Sequence, residues 1–303
     1  MIEPQTLKRG DRIAIVAPAR KVTPAEVEPF AKMLENKGFS VVLPDGLFAA
    51  DNQLGGSDEH RAQVLQQQLD DPDIRAIVCA RGGYGTVRII DRLNFSRFAE
   101  NPKWIVGYSD ATVLHAHLNR LGFCTLHATM PIDIASENDF GSDAATTLID
   151  ALTGHHHNYQ FAPNTLNRAG SAEAEVVGGN LSILYSLIGT PSMPDTNGRI
   201  LLIEDLDEYL YHIDRMMTAL RRSGALDGLK GLIVGALSDM HDNAVPFGLT
   251  AEEIVRRAVD GLGFPVAFGA PIGHIKTGNC ALVLGKKIRL EASNSEKSCI
   301  FAF

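Results

Sequence analysis

The segment WIVGYSDATVLHAHL, residues 104–118, places Ser109 where an apolar strand pattern gives way to an amphipathic helix pattern. A hydroxyl at that point has two uses. It can cap the helix, a position that favours Ser and Asp, or it can be a nucleophile held out on a tight strand-to-helix turn. Such an elbow usually reads Gly-x-Ser-x-Gly, because the turn is strained and crowded. Here it reads Gly107-Tyr108-Ser109-Asp110-Ala111, with Ala in the second Gly position. The run ARGGYGT, residues 80–86, closes the preceding strand pattern. Its glycines let main-chain N–H groups come close to a ligand. They could form one half of an oxyanion hole, with the Asp110 amide as the other half, or simply a turn. A dinucleotide fingerprint would follow the first strand and end in a further Gly, and this run does neither.

A serine nucleophile needs a base, and the base needs an orienting acid. Of the ten histidines, His115 and His117 are two apart on a helix and share no face. His155, His156 and His157 fall in a polar connection. His274 differs, because GAPIGHIKTGNCALVLG brackets it with Pro, Gly and Lys just before a strand, where a loop can project into a cleft. For the acid, RILLIEDLDEY ends an apolar strand with Glu204 and Asp205. Glu204 is the first choice and Asp205 the second; a strand-end pair capping a helix is the alternative. The KTG run at 276–278 matches part of the penicillin-binding signature, but no Ser-x-x-Lys accompanies it.

These residues need a scaffold. Apolar runs at 12–19, 40–44, 76–83 and 104–109 alternate with helical patterns at 25–38, 58–71, 86–93 and after Ser109. Unbroken Val/Ile/Ala strands separated by helices predict an α/β fold with a parallel sheet covered on both faces. Ligands of such sheets gather beyond the carboxyl ends of the strands, where Ser109 lies. The pattern loosens after residue 155, and 156–170 reads as a polar linker with one short strand. Residues 171–303 then read as a smaller α+β domain: strands at 199–205 and 229–237, helices at 211–224 and 250–263, and a closing strand meander.

Composition narrows the function. With 303 residues, 45% hydrophobic and 21% charged, the chain suits a soluble protein of two domains. A net charge of -8 without a basic run disfavours nucleic acid and anionic membrane as partners. No secretory signal or membrane-spanning run is expected. Cys79, Cys124, Cys280 and Cys299 lack metal or redox spacing. They are expected to be buried free thiols in a reducing compartment, which places the protein in the cytoplasm.

With Ser109, the RGGYG loop, Glu204 and His274 in view, the chain resembles the LD-carboxypeptidase family of serine peptidases, which includes muramoyltetrapeptide carboxypeptidases and microcin C immunity peptidases. The resemblance runs from GDRIAIVAPA through RGGYGTVRIIDRL and VGYSDATVLHAHL to GGNLSIL, LLIEDLDEYLYHIDRMM and PIGH. It implies Ser109 as nucleophile, His274 as general base, Glu204 as orienting acid, and Gly83 and Asp110 as oxyanion-hole amides. It implies an N-terminal Rossmann-like domain with the serine, residues 1–155, and a C-terminal domain with the acid and histidine, the active site lying between them, commonly in a homodimer. APAR at 17–20 departs from the APSS-like segment of the family. The implied reaction removes the terminal D-alanine of a cytoplasmic murein tetrapeptide, with no cofactor and no metal. Arg81, beside the glycine loop, could hold the terminal carboxylate. Two alternatives stand beside this. An immunity-type peptidase would stack a base on aromatics near the acid, of which only Tyr209 and Tyr211 are present. A non-catalytic module would use the cleft for binding alone.

Overall fold

The computed structural model of the protein describes residues 1–275 and 278–302. Lys276 and Thr277 of the KTG run lie outside them. Two sheets organise the described residues. The first is built from β1 (Arg12–Val16), β2 (Ser40–Val42), β3 (Ile74–Cys79), β4 (Trp104–Gly107) and β5 (Thr125–His127), all parallel in the order β5-β4-β3-β1-β2. Because β1 lies between β2 and β3, the chain leaves β1 toward one edge and later returns to add β3, β4 and β5 toward the other. Loops after β1 and β3 therefore diverge and leave a crevice at the carboxyl ends of the strands.

Helices cover both faces as the apolar runs predict. Ile13 and Ile15 of β1 face one core with α1 (Pro24–Asn36) and α5 (Asp143–Leu152). Ala14 and Val16 face the other, with α2 (Asp58–Asp70), α3 (Ser96–Glu100) and α4 (Thr112–Arg120). This alternation is the two-residue period of a strand buried on both sides. The helix expected at 86–93 is instead two short 3-10 turns, Thr86–Arg88 and Ile90–Arg92. The segment's amides close onto carbonyls three residues back, Ile89 N–H to Thr86 and Leu93 N–H to Ile90, and the Thr86 N–H is capped by the Asp110 carboxylate at 2.9 Å.

The second sheet has the order β10-β9-β8-β7-β12-β13-β6. β7 (Gly170–Asn180), β8 (Ile200–Leu206), β9 (Gly231–Ser238) and β10 (Val266–Phe268) are parallel, linked by α6 (Leu181–Leu187), α7 (Leu210–Arg222) and α8 (Ala251–Ala258). The antiparallel remainder is β12 (Lys287–Ala292), β13 (Ser298–Ala302) and β6 (Tyr159–Phe161). The protein is thus α/β with a mostly parallel first sheet and a mixed second sheet. The mixed second sheet is the expected α+β unit, and its parallel half repeats the strand-helix alternation of the first. The eleven-residue β7 at its centre has no counterpart among the expected strands.

The two sheets are tied together. β11 (Leu282–Leu284), late in the chain, pairs antiparallel with β5 and so closes the edge of the first sheet. The Met1 ammonium meets Glu175 on β7 at 2.6 Å. Asn180 N–H at the end of β7 donates to Thr112 Oγ1, on the first turn of α4, at 3.0 Å. Cys79, Cys124 and Cys280 are buried free thiols, whereas Cys299 is half-buried because β13 lies near the sheet edge.

Candidate active site

Ser109 follows β4 in a left-handed conformation, φ +62°. A non-glycine residue held there costs about 1–2 kcal/mol and clusters at functional turns. A capping serine instead takes an extended conformation and accepts an amide hydrogen. Ala111, not Ser109, stands at the N-cap of α4, and Tyr108 is the N-cap of the short turn that Ser109 begins. The glycine loop packs directly on this elbow. A Cβ on Gly82 would lie 2.7 Å from Ser109 Oγ and 3.3 Å from the Asp110 amide nitrogen, so only Gly leaves that approach open. The Asp110 carboxylate is buried and holds the loop through the Thr86 N–H. Burial pushes that carboxyl's pKa up, against the lowering effect of the Thr86 and Gly85 hydrogen bonds.

Across the cleft, β8 delivers Glu204 at a register irregularity against β9 between Ile203 and Asp205, the kind of local kink that re-aims a side chain. Glu204 is fully buried. Its Oε2 accepts from His274 Nδ1 at 2.6 Å and from the His274 backbone N–H at 3.1 Å. A carboxylate can only accept, so Nδ1 carries the proton and Nε2 is left with its lone pair. Gly273, φ +102°, makes this possible, since a Cβ there would sit 2.6 Å from Glu204 Oε2. The loop is pinned further by Gly273 N–H to Asn279 Oδ1, 2.8 Å, and by the Ser238 hydroxyl to the His274 carbonyl.

The charges follow from this packing. Burial alone would lower the His274 pKa, but the hydrogen bond and charge of Glu204, with Asp205 and Asp133 beyond it, raise it above 6.5. Burial works the other way on Glu204, and the His274 contacts outweigh it and keep its carboxyl below its ordinary pKa of 4.5. Asp205 turns away from the cleft: it accepts from Asn180 Nδ2 and from the Ser182 and Leu206 N–H groups, each at 2.9 Å. Burial, and then the charge of Glu204, raise its pKa to about 7.

Ser109, Gly83, Arg81 and His274 line one cleft of about 420 Å³, with Glu204 behind the histidine. No direct hydrogen bond joins Ser109 Oγ to the His274 ring, as is common before a substrate draws catalytic groups together. Arg81 Nη1 instead approaches Glu26 Oε1 at 3.3 Å. One cleft is thus lined by a hydroxyl, an imidazole whose Nδ1 is held by a buried carboxylate, and a glycine loop, the types of group that acyl transfer uses.

Two family models match the chain: LD-carboxypeptidase N-terminal domain over residues 13–128 and LD-carboxypeptidase C-terminal domain over 173–290. The chain belongs to the LD-carboxypeptidase family. A probable murein peptide carboxypeptidase of Bacillus subtilis is 34% identical, covering 98% of this chain and 93% of the relative. The murein tetrapeptide carboxypeptidase of Pseudomonas aeruginosa is 27% identical, covering 93% of this chain and 94% of its own. Among solved structures, the muramoyltetrapeptide carboxypeptidase from Oxalobacter formigenes superposes with TM-score 0.86 at 26% identity, covering 96% and 99% of the two chains. MccF in complex with glutamyl sulfamoyl guanosine shares the fold, with TM-score 0.86 at 23% identity over 99% and 98% of the chains.

Several residues around this cleft escape a reading of motifs. Tyr108, the residue before Ser109, places its ring 4.7 Å from that of His274 and donates its hydroxyl to Asp133 at 3.0 Å. His127, at the end of β5, is fully buried with both ring nitrogens unpartnered among the described residues, as is Glu204 Oε1. Burial lowers the His127 pKa to about 4, so it adds no positive charge beside the acid. Arg20, from the departing APAR segment, lines the cleft over Gly83. Only the first of these had a signal, as the x of the elbow motif. Among the described residues no group of three or more His, Cys, Asp or Glu side chains is placed to hold a metal ion, and no helix is long and apolar enough to cross a membrane.

Proposed function

We propose that this protein is a serine LD-carboxypeptidase that removes the terminal D-alanine from murein tetrapeptides in the cytoplasm. The observation that carries this is the buried Glu204–His274 pair, 2.6 Å apart, on the same cleft as the left-handed Ser109. His274 Nε2 takes the Ser109 proton as Oγ bonds to the carbonyl carbon of the scissile amide. The carbonyl oxygen, now negative, is met by the Asp110 and Gly83 amides. Collapse breaks the C–N bond, His274 passes the proton to the leaving nitrogen, and free D-alanine departs. Water, deprotonated by the same nitrogen, then cleaves the ester and returns Ser109. Glu204 holds the ring in the reactive tautomer and stabilises the imidazolium. No step calls on a cofactor. Incubation with L-Ala-γ-D-Glu-diaminopimelate-D-Ala tests the proposal: free D-alanine should appear in equal amount to the tripeptide, and its absence would reject the activity.

A second activity is favoured by one feature. Tyr209 and Tyr211 are exposed, their rings 5.5 Å apart, and Tyr209 also lies 5.5 Å from His241 beside the cleft acids Asp207 and Glu208. Such a platform could stack a nucleobase, so an aminoacyl sulfamoyl nucleoside belongs in the same assay; faster turnover of it than of the tetrapeptide would reverse the order of the two. A homodimer is expected for either, and sedimentation at equilibrium would show it.

A further inference from the structure

We propose that Arg20 is the anchor for the free carboxylate of the residue that this enzyme releases, an assignment that rests on the carboxypeptidase activity proposed above. Arg20 follows β1 and the glycine loop follows β3, so the two face each other across the crevice where the strand order reverses. Their proximity is built in. The buried Arg61 donates to the carbonyls of Pro18 and of Gly85, the latter at 2.9 Å, and so ties the β1 loop to the β3 loop. Arg20 itself pairs as a β-bridge with Leu54, which fixes its backbone. Its side chain then lies over Gly83: a Cβ on that glycine would be 2.5 Å from Arg20 Cδ and 2.7 Å from Nε.

Charge singles out Arg20 among the groups of the cleft. Arg81 is held toward α1 by Glu26, whose other oxygen is fixed by the Thr23 N–H at 2.7 Å. Asp207 and Glu208 each hydrogen-bond a histidine, His241 and His212, at 2.5 Å. Arg20 is exposed and makes no ion pair among the described residues. With the scissile oxygen at the Gly83 and Asp110 amides, the terminal carboxylate lies one residue, about 3.8 Å, further along the substrate. That is the reach of a guanidinium resting on Gly83, and its planar fork matches a carboxylate bidentately.

The test compares L-Ala-γ-D-Glu-diaminopimelate-D-Ala with its C-terminal amide. The wild-type enzyme should prefer the acid. Arg20→Ala should lower kcat/KM for the acid about 10- to 100-fold, chiefly through KM, and leave the amide little changed. Arg20→Lys should restore part of the preference, and Arg81→Ala should keep it. Binding of both peptides to Ser109→Ala, with and without Arg20→Ala, gives the same comparison without turnover. A preference for the acid that survives Arg20→Ala, or is lost in Arg81→Ala instead, overturns the assignment. If wild-type enzyme cleaves neither peptide, the carboxypeptidase activity fails. If it cleaves both equally, that activity stands and the anchor alone falls.

Discussion

His274 must be neutral to take the Ser109 proton, and the contacts with Glu204 hold its pKa above 6.5. Protonated below that value, it cannot accept, so kcat/KM should rise with pH through a midpoint above 6.5 and fall away on the acid side. Glu204→Gln removes the charge and the tautomer control together. It should move that acid limb downward while cutting kcat by about a thousandfold or more; a profile from a pH-stat or stopped assay would show both. A limb that stays in place would mean that another group titrates. Activity is also expected to survive EDTA, and loss that zinc restores would redirect attention to the other histidines. At this scale the sequence was informative about residues whose neighbours in the chain announce them: a serine at a strand-to-helix join, an acid ending an apolar strand, a histidine between Pro, Gly and Lys. Arg20 and His127 take their meaning from residues far along the chain, and no local pattern signals that.

Elements, in turn, hold those side chains by steric fit. Gly273 sits at φ +102° with the Glu204 carboxylate where its Cβ would be. Gly273→Ala should therefore lower the melting temperature, at a cost of about 1–3 kcal/mol, and reduce turnover at least tenfold by displacing the histidine loop. Calorimetry and D-alanine release measured on the same preparation would test it; full activity would mean that the loop absorbs the methyl group. Strands with unbroken apolar runs, such as β1, β3 and β8, were legible because both faces are buried. β7 was not. Its first half alternates weakly and is mostly exposed, and a Gly-Gly pair closes its buried half. The apolar spacing of 86–93 looked helical, but its amides bond three residues back, not four, and the segment forms two 3-10 turns.

For the whole molecule, the proposed nucleophile Ser109 follows a strand of one sheet, while Glu204 ends a strand of the other and His274 lies in the loop after β10. Residues 1–155 and 165–303 expressed apart should both be inactive. The first should also aggregate, because losing β11 bares the β5 edge. Activity from either fragment alone would refute a shared site. Registration of the two halves runs partly through Thr112, whose hydroxyl accepts the Asn180 N–H beside the elbow. Thr112→Val leaves that buried amide unpaired, at a cost of about 1–3 kcal/mol, and kcat should fall more than KM rises. A change of pattern after residue 155 was readable in the sequence. That a late strand returns to the first sheet was not, because three residues, Leu282–Leu284, are too short a run to declare a partner.

The decisive variant is Ser109→Ala, with D-alanine release from the tetrapeptide and the melting temperature recorded together. Release should fall at least about a thousandfold while the melting temperature stays within a few degrees of wild type. Near wild-type release, accompanied by a stability loss of about 1 kcal/mol, would show a helix-capping serine and contradict its role as nucleophile.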